Sequence, residues 1–429
     1  VAKAYLIHPY LFTDKVSAVR QPIDKLRELR GLSEAIHLEV MGETLLKLSK
    51  LTPSTFMGSG VVDRLKETFG NLGVDLIIVN TALTPIQQRN LEKRWDRKVI
   101  DRTGLILEIF GARAQTREGS LQVELASLTY QRSRLVRSWT HLERQRGGYG
   151  FLGGPGESQI ELDRRLLDKR IFRVKQALEQ VKRTRGLQRK AREKNQYPHI
   201  ALVGYTNAGK STLFNALTGE SVYAEDLLFA TLDPTLRAIK GPSGQKWILS
   251  DTVGFISDLP TELVAAFRAT LEEVCQADII LHVQDVANPE YKEQAKDVLE
   301  ILKSLYSGQD EPLILNIYNK IDLLSEIERS YFLNIPEKNA VSISAETGLN
   351  QQILREKIQS LLSETHHLLN VKFSTKNSRL LAWFYENAQV LERKDEENSI
   401  FLQVKLDEVT ENRFNKIWRN ECQHTSRVW

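Results

Sequence analysis

The sequence predicts a multidomain α/β protein, and three observations carry that reading. A glycine-rich loop, Gly204-Tyr205-Thr206-Asn207-Ala208-Gly209-Lys210-Ser211, lies between a strand-like apolar run at 199–203 and a helix-like run at 212–217. Before it, two heptad stripes follow one another between residues 121 and 181, as paired helices require. On either side, short apolar runs alternate with helical ones, the pattern of sheets covered by helices. At 429 residues the chain is too long for one core and suggests roughly three domains. The patterning places four segments: an N-terminal α/β domain (1–112), a helical hairpin (113–195), a doubly wound sheet around the glycine-rich loop (196–365) and a small α+β domain (366–429).

In the first segment, residues 4–7, 35–40, 74–79 and 98–100 read as strands. Thr84 before Pro85 marks a helix start, with threonine as cap and proline in the first turn. Met57-Gly58-Ser59-Gly60 precedes a helical run and reads as a plain turn, since no lysine accompanies it.

The hairpin is read from Leu121, Leu125, Leu128, Leu135, Trp139 and Leu142, spaced by fours and threes with Arg132 interrupting, and from Ile160, Leu167, Ile171, Val174, Leu178 and Val181, interrupted at Arg164. The two helices should pair antiparallel, the first about 40 Å long at 1.5 Å per residue. Their tip, residues 147–156, holds six glycines with Tyr149 and Phe151, suiting a loop that moulds to a partner and stacks on RNA bases. Ser158 and Glu161 suggest a capping box for the second helix. Residues 113–195 carry 20 Lys/Arg against 9 Asp/Glu, hence +11, so the remainder holds −7 of the chain's +4. A basic segment on an acidic protein is the footprint of a polyanion, most often nucleic acid.

The glycine-rich loop is a phosphate cradle: backbone N–H groups curl around the phosphates, Lys210 reaches their β and γ oxygens, and the Ser211 hydroxyl is placed for Mg²⁺, with Thr212 continuing the helix. Three later stretches identify the base. The strand-like run 246–250 ends in Asp251-Thr252-Val253-Gly254, whose carboxylate can hold the metal's water shell and whose glycine N–H can sense the γ-phosphate. The run 312–318 delivers Asn319-Lys320-Ile321-Asp322: Asp322 can accept both donors on the guanine edge while Asn319 and the Lys320 stem flank the ring. Adenine lacks that donor pair. Ser344-Ala345-Glu346-Thr347-Gly348 follows, placed to offer a backbone N–H to the guanine oxygen. The segment therefore reads as a P-loop GTPase domain binding GTP and GDP with Mg²⁺. Between cradle and switch, the run 228–235 contains Thr231 and Thr235, either of which can bind Mg²⁺ and sense the γ-phosphate. A helix at 263–274 and a strand at 278–283 complete the doubly wound sheet.

From residue 366 the pattern restarts as strand (371–374), helix (378–391), strand (399–405) and a final helix. Adjacent His366 and His367 have no third ligand nearby and read as linker residues. With 41% hydrophobic and 27% charged residues, there is material for cores but no run of about 18 apolar residues to cross a bilayer. Cys275 and Cys422 match no disulfide or metal spacing, which fits a reducing, cytoplasmic setting.

The run Asp101-Arg102-Thr103-Gly104-Leu105-Ile106-Leu107, the stretch from Thr116-Arg117-Glu118-Gly119 to Leu125, the tip with Gly154-Pro155-Gly156-Glu157-Ser158-Gln159 and the GTPase motifs together resemble the HflX family of ribosome-associated GTPases over nearly the whole chain. Ser158 is often threonine there, which keeps the hydroxyl. The resemblance implies a Mg²⁺-dependent GTPase that binds the large ribosomal subunit, aims its hairpin at ribosomal RNA and splits stalled or stressed ribosomes. The alternative is a GTP-switched RNA-binding or assembly module whose hydrolysis times its release. DNA is not an expected partner, a membrane is disfavoured by the lack of a large apolar face on the basic hairpin, and a monomer is expected. Similarity to related GTPases favours Thr231 over Thr235. Lys210, Thr231 and Gly254 are the expected catalytic groups, and Ser211, Thr231 and Asp251 the metal ligands. Where many GTPases carry a water-orienting glutamine after the switch glycine, this chain has Phe255. Backbone, metal or partner must then position the water, and by similarity the Asn207 carbonyl is expected to hold K⁺ beside the phosphates.

Overall fold

The computed structural model describes residues 2–11, 21–145, 155–193, 197–219, 228–229, 232, 235–242, 244–257, 274–306, 312–364, 366–407 and 422–428, together with 411, 414, 415 and 418. Its first sheet contains β1 (Lys3–Leu11), β2 (Glu39–Leu48), β3 (Leu76–Val79) and β4 (Lys98–Asp101), all parallel in the order β2-β1-β3-β4. Helices α1 (Pro22–Glu34), α2 (Ser59–Leu72), α3 (Pro85–Trp95) and α4 (Arg102–Arg113) connect and cover it. Thr84 caps α3 in a reciprocal capping box with Gln87. The second strand differs from its expected range of 35–40. It begins at Glu39 and runs to Leu48 because it is an edge strand whose charged residues, Glu43 and Lys47, obscure its apolar signal.

Helices α5 (Arg117–Gln145) and α6 (Pro155–Glu193) form the hairpin. Leu121, Leu125 and Leu128 pack against Leu167, Ile171, Val174 and Leu178. Arg132, the break in the first stripe, reaches Asp168 at 3.2 Å instead of entering the seam. The tip 147–154 and the side chains of Trp139, Leu142 and Ile160 lie outside the described residues. Because α6 begins at Pro155, Ser158 and Glu161 lie within the helix rather than forming its cap; proline in the first turn opens it. Asp101 ties the hairpin to the first sheet: it caps α4 through Gly104 N at 2.8 Å and accepts from Tyr130 Oη and Arg134 Nη2, both at 2.6 Å.

The central sheet follows the order β10-β9-β8-β5-β7-β6. Its strands are β5 (His199–Gly204), β6 (Thr235–Lys240), β7 (Lys246–Asp251), β8 (Ile279–Asp285), β9 (Leu313–Asn319) and β10 (Ala340–Ser342). All are parallel except edge strand β6. It carries α7 (Lys210–Thr218), α8 (Tyr291–Leu305), α9 (Glu326–Leu333) and α10 (Gln351–Glu364). Most of the helix expected at 263–274 falls outside the described residues, and Val274 opens a short 3₁₀ turn.

The last sheet is antiparallel, β12-β13-β11-β14, built from β11 (His366–Ser374), β12 (Gln389–Asp395), β13 (Ser399–Asp407) and β14 (Cys422–Val428), with α11 (Ser378–Asn387) packed on one face. Strands β12 and β14 add to the expected strand-helix-strand-helix order, whose final helix lies mostly outside the described residues, with 411, 414, 415 and 418 helical. Both are polar edge strands without a clean period-2 pattern, and His366 and His367 open β11 rather than a linker.

Candidate nucleotide site

The site lies at the carboxyl ends of the central parallel strands, where open α/β sheets bind ligands. Strand β5 is apolar on both faces because helices cover both sides, and it ends at Gly204, where any Cβ would collide with the Val283 carbonyl. The chain then turns through Asn207 (φ 60°) and Gly209 (φ 87°) into α7. A side chain at Gly209 would collide with Asn319, so glycine is required for space as well as backbone conformation. The turn leaves helix N-terminal amides facing outward for an anion.

Lys210 is buried, and its ammonium donates to the Tyr205 carbonyl at 2.7 Å. Burial lowers its pKa to about 8; Asp251 opposes the shift and Lys320 adds to it. Ser211 Oγ donates to Asp251 Oδ2 at 2.9 Å, joining cradle and β7 end through the two side chains expected at the metal. Gly254 lies directly against the cradle: a Cβ there would stand 2.8 Å from Thr206 Cγ2 and 3.0 Å from Lys210 Nζ. Thr231 lies outside the described residues, whereas Thr235 starts β6 opposite Asp251.

At the end expected to meet the base, Asn319 Nδ2 donates to the Ala208 carbonyl at 2.9 Å and Asn319 Oδ1 accepts the Ala345 amide at 2.9 Å. One side chain thus holds together the cradle, β9 and the Ser344-Ala345-Glu346 loop. That loop closes with Thr347 N donating to Ser344 Oγ at 3.1 Å and with Gly348 at φ 81°. Lys320 has φ 65° and pairs through Nζ with Asp285 Oδ2 at 2.8 Å. Asp322 Oδ1 is buried with no hydrogen-bond partner among the described residues. A buried acceptor left open costs about 1–3 kcal/mol, which suits a ligand that brings donors. The two glycine positions and this open acceptor fit a guanine nucleotide.

Two features escaped sequence reading. Asp285, at the end of β8, was detectable in principle as a carboxylate at a strand carboxyl end. The second, a contact between the first and central sheets, has no local signal. Tyr205 Oη donates to Glu28 Oε1 and accepts Ser257 N at 2.7 Å; Ser257 Oγ donates to Glu28 Oε2 at 2.9 Å. Arg102 Nη2 donates to the same Glu28 oxygen at 2.8 Å and to the Ser257 carbonyl at 2.9 Å. Phe229, between cradle and switch, packs edge-on against Phe110 of α4 at 4.8 Å. Phe255 is buried in the same apolar cluster, and its backbone bonds the cradle, Thr206 N to Phe255 O at 2.7 Å. Its ring packs the core.

Fold and motifs together define a P-loop enzyme that binds and hydrolyses GTP. Four family models match in order: GTP-binding GTPase N-terminal (residues 23–111), GTP-binding GTPase Middle Region (113–192), 50S ribosome-binding GTPase (199–320) and HflX C-terminal domain (334–424). GTPase HflX of Magnetococcus marinus is 51% identical over 89% of this chain and 88% of its own length. GTPase HflX of Escherichia coli is 41% identical over 98% of this chain and 96% of its own length. A GTP-binding protein of Sulfolobus solfataricus solved with GDP is similar at 25% identity and a TM-score of 0.45, covering 85% of this chain and 99% of that one. The chain belongs to the HflX family of GTPases.

Proposed function

We propose that this GTPase couples its nucleotide state to binding of the large ribosomal subunit and to separation of stalled or stressed ribosomes into subunits. The observation that carries the proposal is the pairing, in one chain, of a guanine-nucleotide site with a long hairpin in a segment of charge +11, in a family whose GTPase model is described as 50S ribosome-binding. The hairpin's cations track RNA phosphates while its glycine-rich tip reaches the intersubunit contacts.

In the nucleotide site, Lys210 meets the β and γ oxygens, residues 204–212 surround the phosphates, and Asn319, Lys320 and Asp322 hold the base. The Ala345 amide is already used by Asn319, so the guanine oxygen falls to the following Glu346 amide. Ser211, Asp251 and Thr231 would hold Mg²⁺, which would offset the charge that develops on the phosphates. The Gly254 and Thr231 backbone groups would position the water that Phe255 cannot polarise, and the Asn207 carbonyl would hold K⁺ if it binds beside the phosphates. Hydrolysis is accordingly slow alone and faster with the ribosome.

The test is sedimentation of intact ribosomes after addition of the protein with a non-hydrolysable GTP analogue. Free subunits are expected. Binding to ribosomes that stay intact would instead support a switch whose hydrolysis only times release.

A further inference from the structure

Helix α9 exposes its apolar side. Phe332 alone among its residues is buried, packed with Val286 and Ile321 and flanked by Tyr291 and Tyr318. Leu323, Ile327 and Tyr331 instead stand 67%, 85% and 68% exposed. The spacing of four puts Ile327 and Tyr331 on one line along the helix, and Leu323 stands exposed in the 3₁₀ turn before it, separated from the helix by the extended backbone at Leu324.

The line has an acidic border. Glu326 and Glu328 are exposed on the first turn. The adjacent cation is turned inward: Arg329 donates to the carbonyls of Ile321 and Asp322 at 3.0 and 2.8 Å.

We infer that this face docks a basic, amphipathic helix of a protein partner, and that on the large ribosomal subunit the partner is one of its proteins rather than its RNA. An RNA backbone would set phosphates against Glu326 and Glu328 and leave the apolar line in water. A basic amphipathic helix satisfies both, its apolar side covering Leu323, Ile327 and Tyr331 and its flanking Lys or Arg meeting the carboxylates. The chain then divides its contacts by charge, the +11 segment serving RNA and this acidic, apolar face serving protein. The inference rests on the ribosome-binding reading above.

The test places the photo-crosslinking residue p-benzoylphenylalanine at Ile327 and irradiates the full chain with purified large ribosomal subunits and a GTP analogue, scoring co-sedimentation in the same samples. A covalent link to a subunit protein is expected. A link to RNA, a link to a second copy of this chain, or co-sedimentation with no link would overturn the inference while leaving ribosome binding standing; failure of the wild-type chain to co-sediment would remove both. The paired substitution Ile327→Lys and Tyr331→Lys, which leaves Phe332 in place, should weaken subunit affinity about tenfold with GTP affinity and melting temperature unchanged. Unaltered subunit affinity would also overturn it.

Discussion

The Ser257 amide donates to the phenol oxygen of Tyr205 at 2.7 Å, joining the residues after Gly254, the expected switch glycine, to the glycine-rich loop expected to cradle the phosphates. Because the same phenol bonds Glu28, the cradle, the switch and helix α1 of the first sheet share one partly buried polar network. Tyr205→Phe removes one donor and one acceptor. It should lower stability by about 1–3 kcal/mol and speed hydrogen exchange at the Ser257 amide while GTP binding persists. Exchange at the wild-type rate would mean that the network does not hold the switch.

Asp322→Asn should weaken GTP binding by roughly 2 kcal/mol or more and favour xanthine nucleotides, because a donor would then face a donor. Direct titration with both nucleotides reads the change, and equal GTP affinity in the variant would remove Asp322 from the base site.

Asp285→Asn takes the counter-charge from Lys320, whose stem is expected against the guanine ring. Since the pair is partly exposed, at 24% and 16% of side-chain surface, the expected loss is about 1 kcal/mol of GTP affinity, seen as a higher KM at constant kcat. A fall in kcat with KM unchanged would assign Asp285 some other role.

His282 is held neutral by burial, with its pKa lowered to about 4. The lowered folded value contributes stability that is present above the ordinary histidine range near 6.5 and is lost as pH falls toward 4. Denaturant midpoints measured from pH 7 to 4 should drop less for His282→Gln than for the wild type. Parallel curves would show that other groups govern acid sensitivity.

Replacing residues 147–156 with a short polar turn should leave GTP binding intact, weaken ribosome binding only partly and abolish splitting. Neutralising Arg164, Arg165, Lys169 and Arg170 should weaken binding and flatten its salt dependence, because fewer phosphate contacts release counterions. Arg165 and Arg170 already pair with Glu161 at 2.6 Å and Glu124 at 2.7 Å, but such exposed pairs are worth about 0–1 kcal/mol and exchange readily for phosphate. Full splitting by the tip-replaced chain would place the active wedge elsewhere.

The glycines of the nucleotide loop were legible because they depend on residue type at a backbone position: only glycine fits at Gly204 and Gly209. The heptad stripes were legible for a similar reason, since helical period and apolar side chains are local properties. Strands β2, β12 and β14 were misread or missed because an edge strand takes its pairing from a neighbour and needs no apolar signature of its own. Tertiary structure alone decided that Phe255 packs inward and that Asn319 holds two loops. It also brought Glu28 to Ser257, 229 positions apart in sequence. Such contacts arise when two separately patterned sheets pack together, and neither partner's local sequence encodes the other's position.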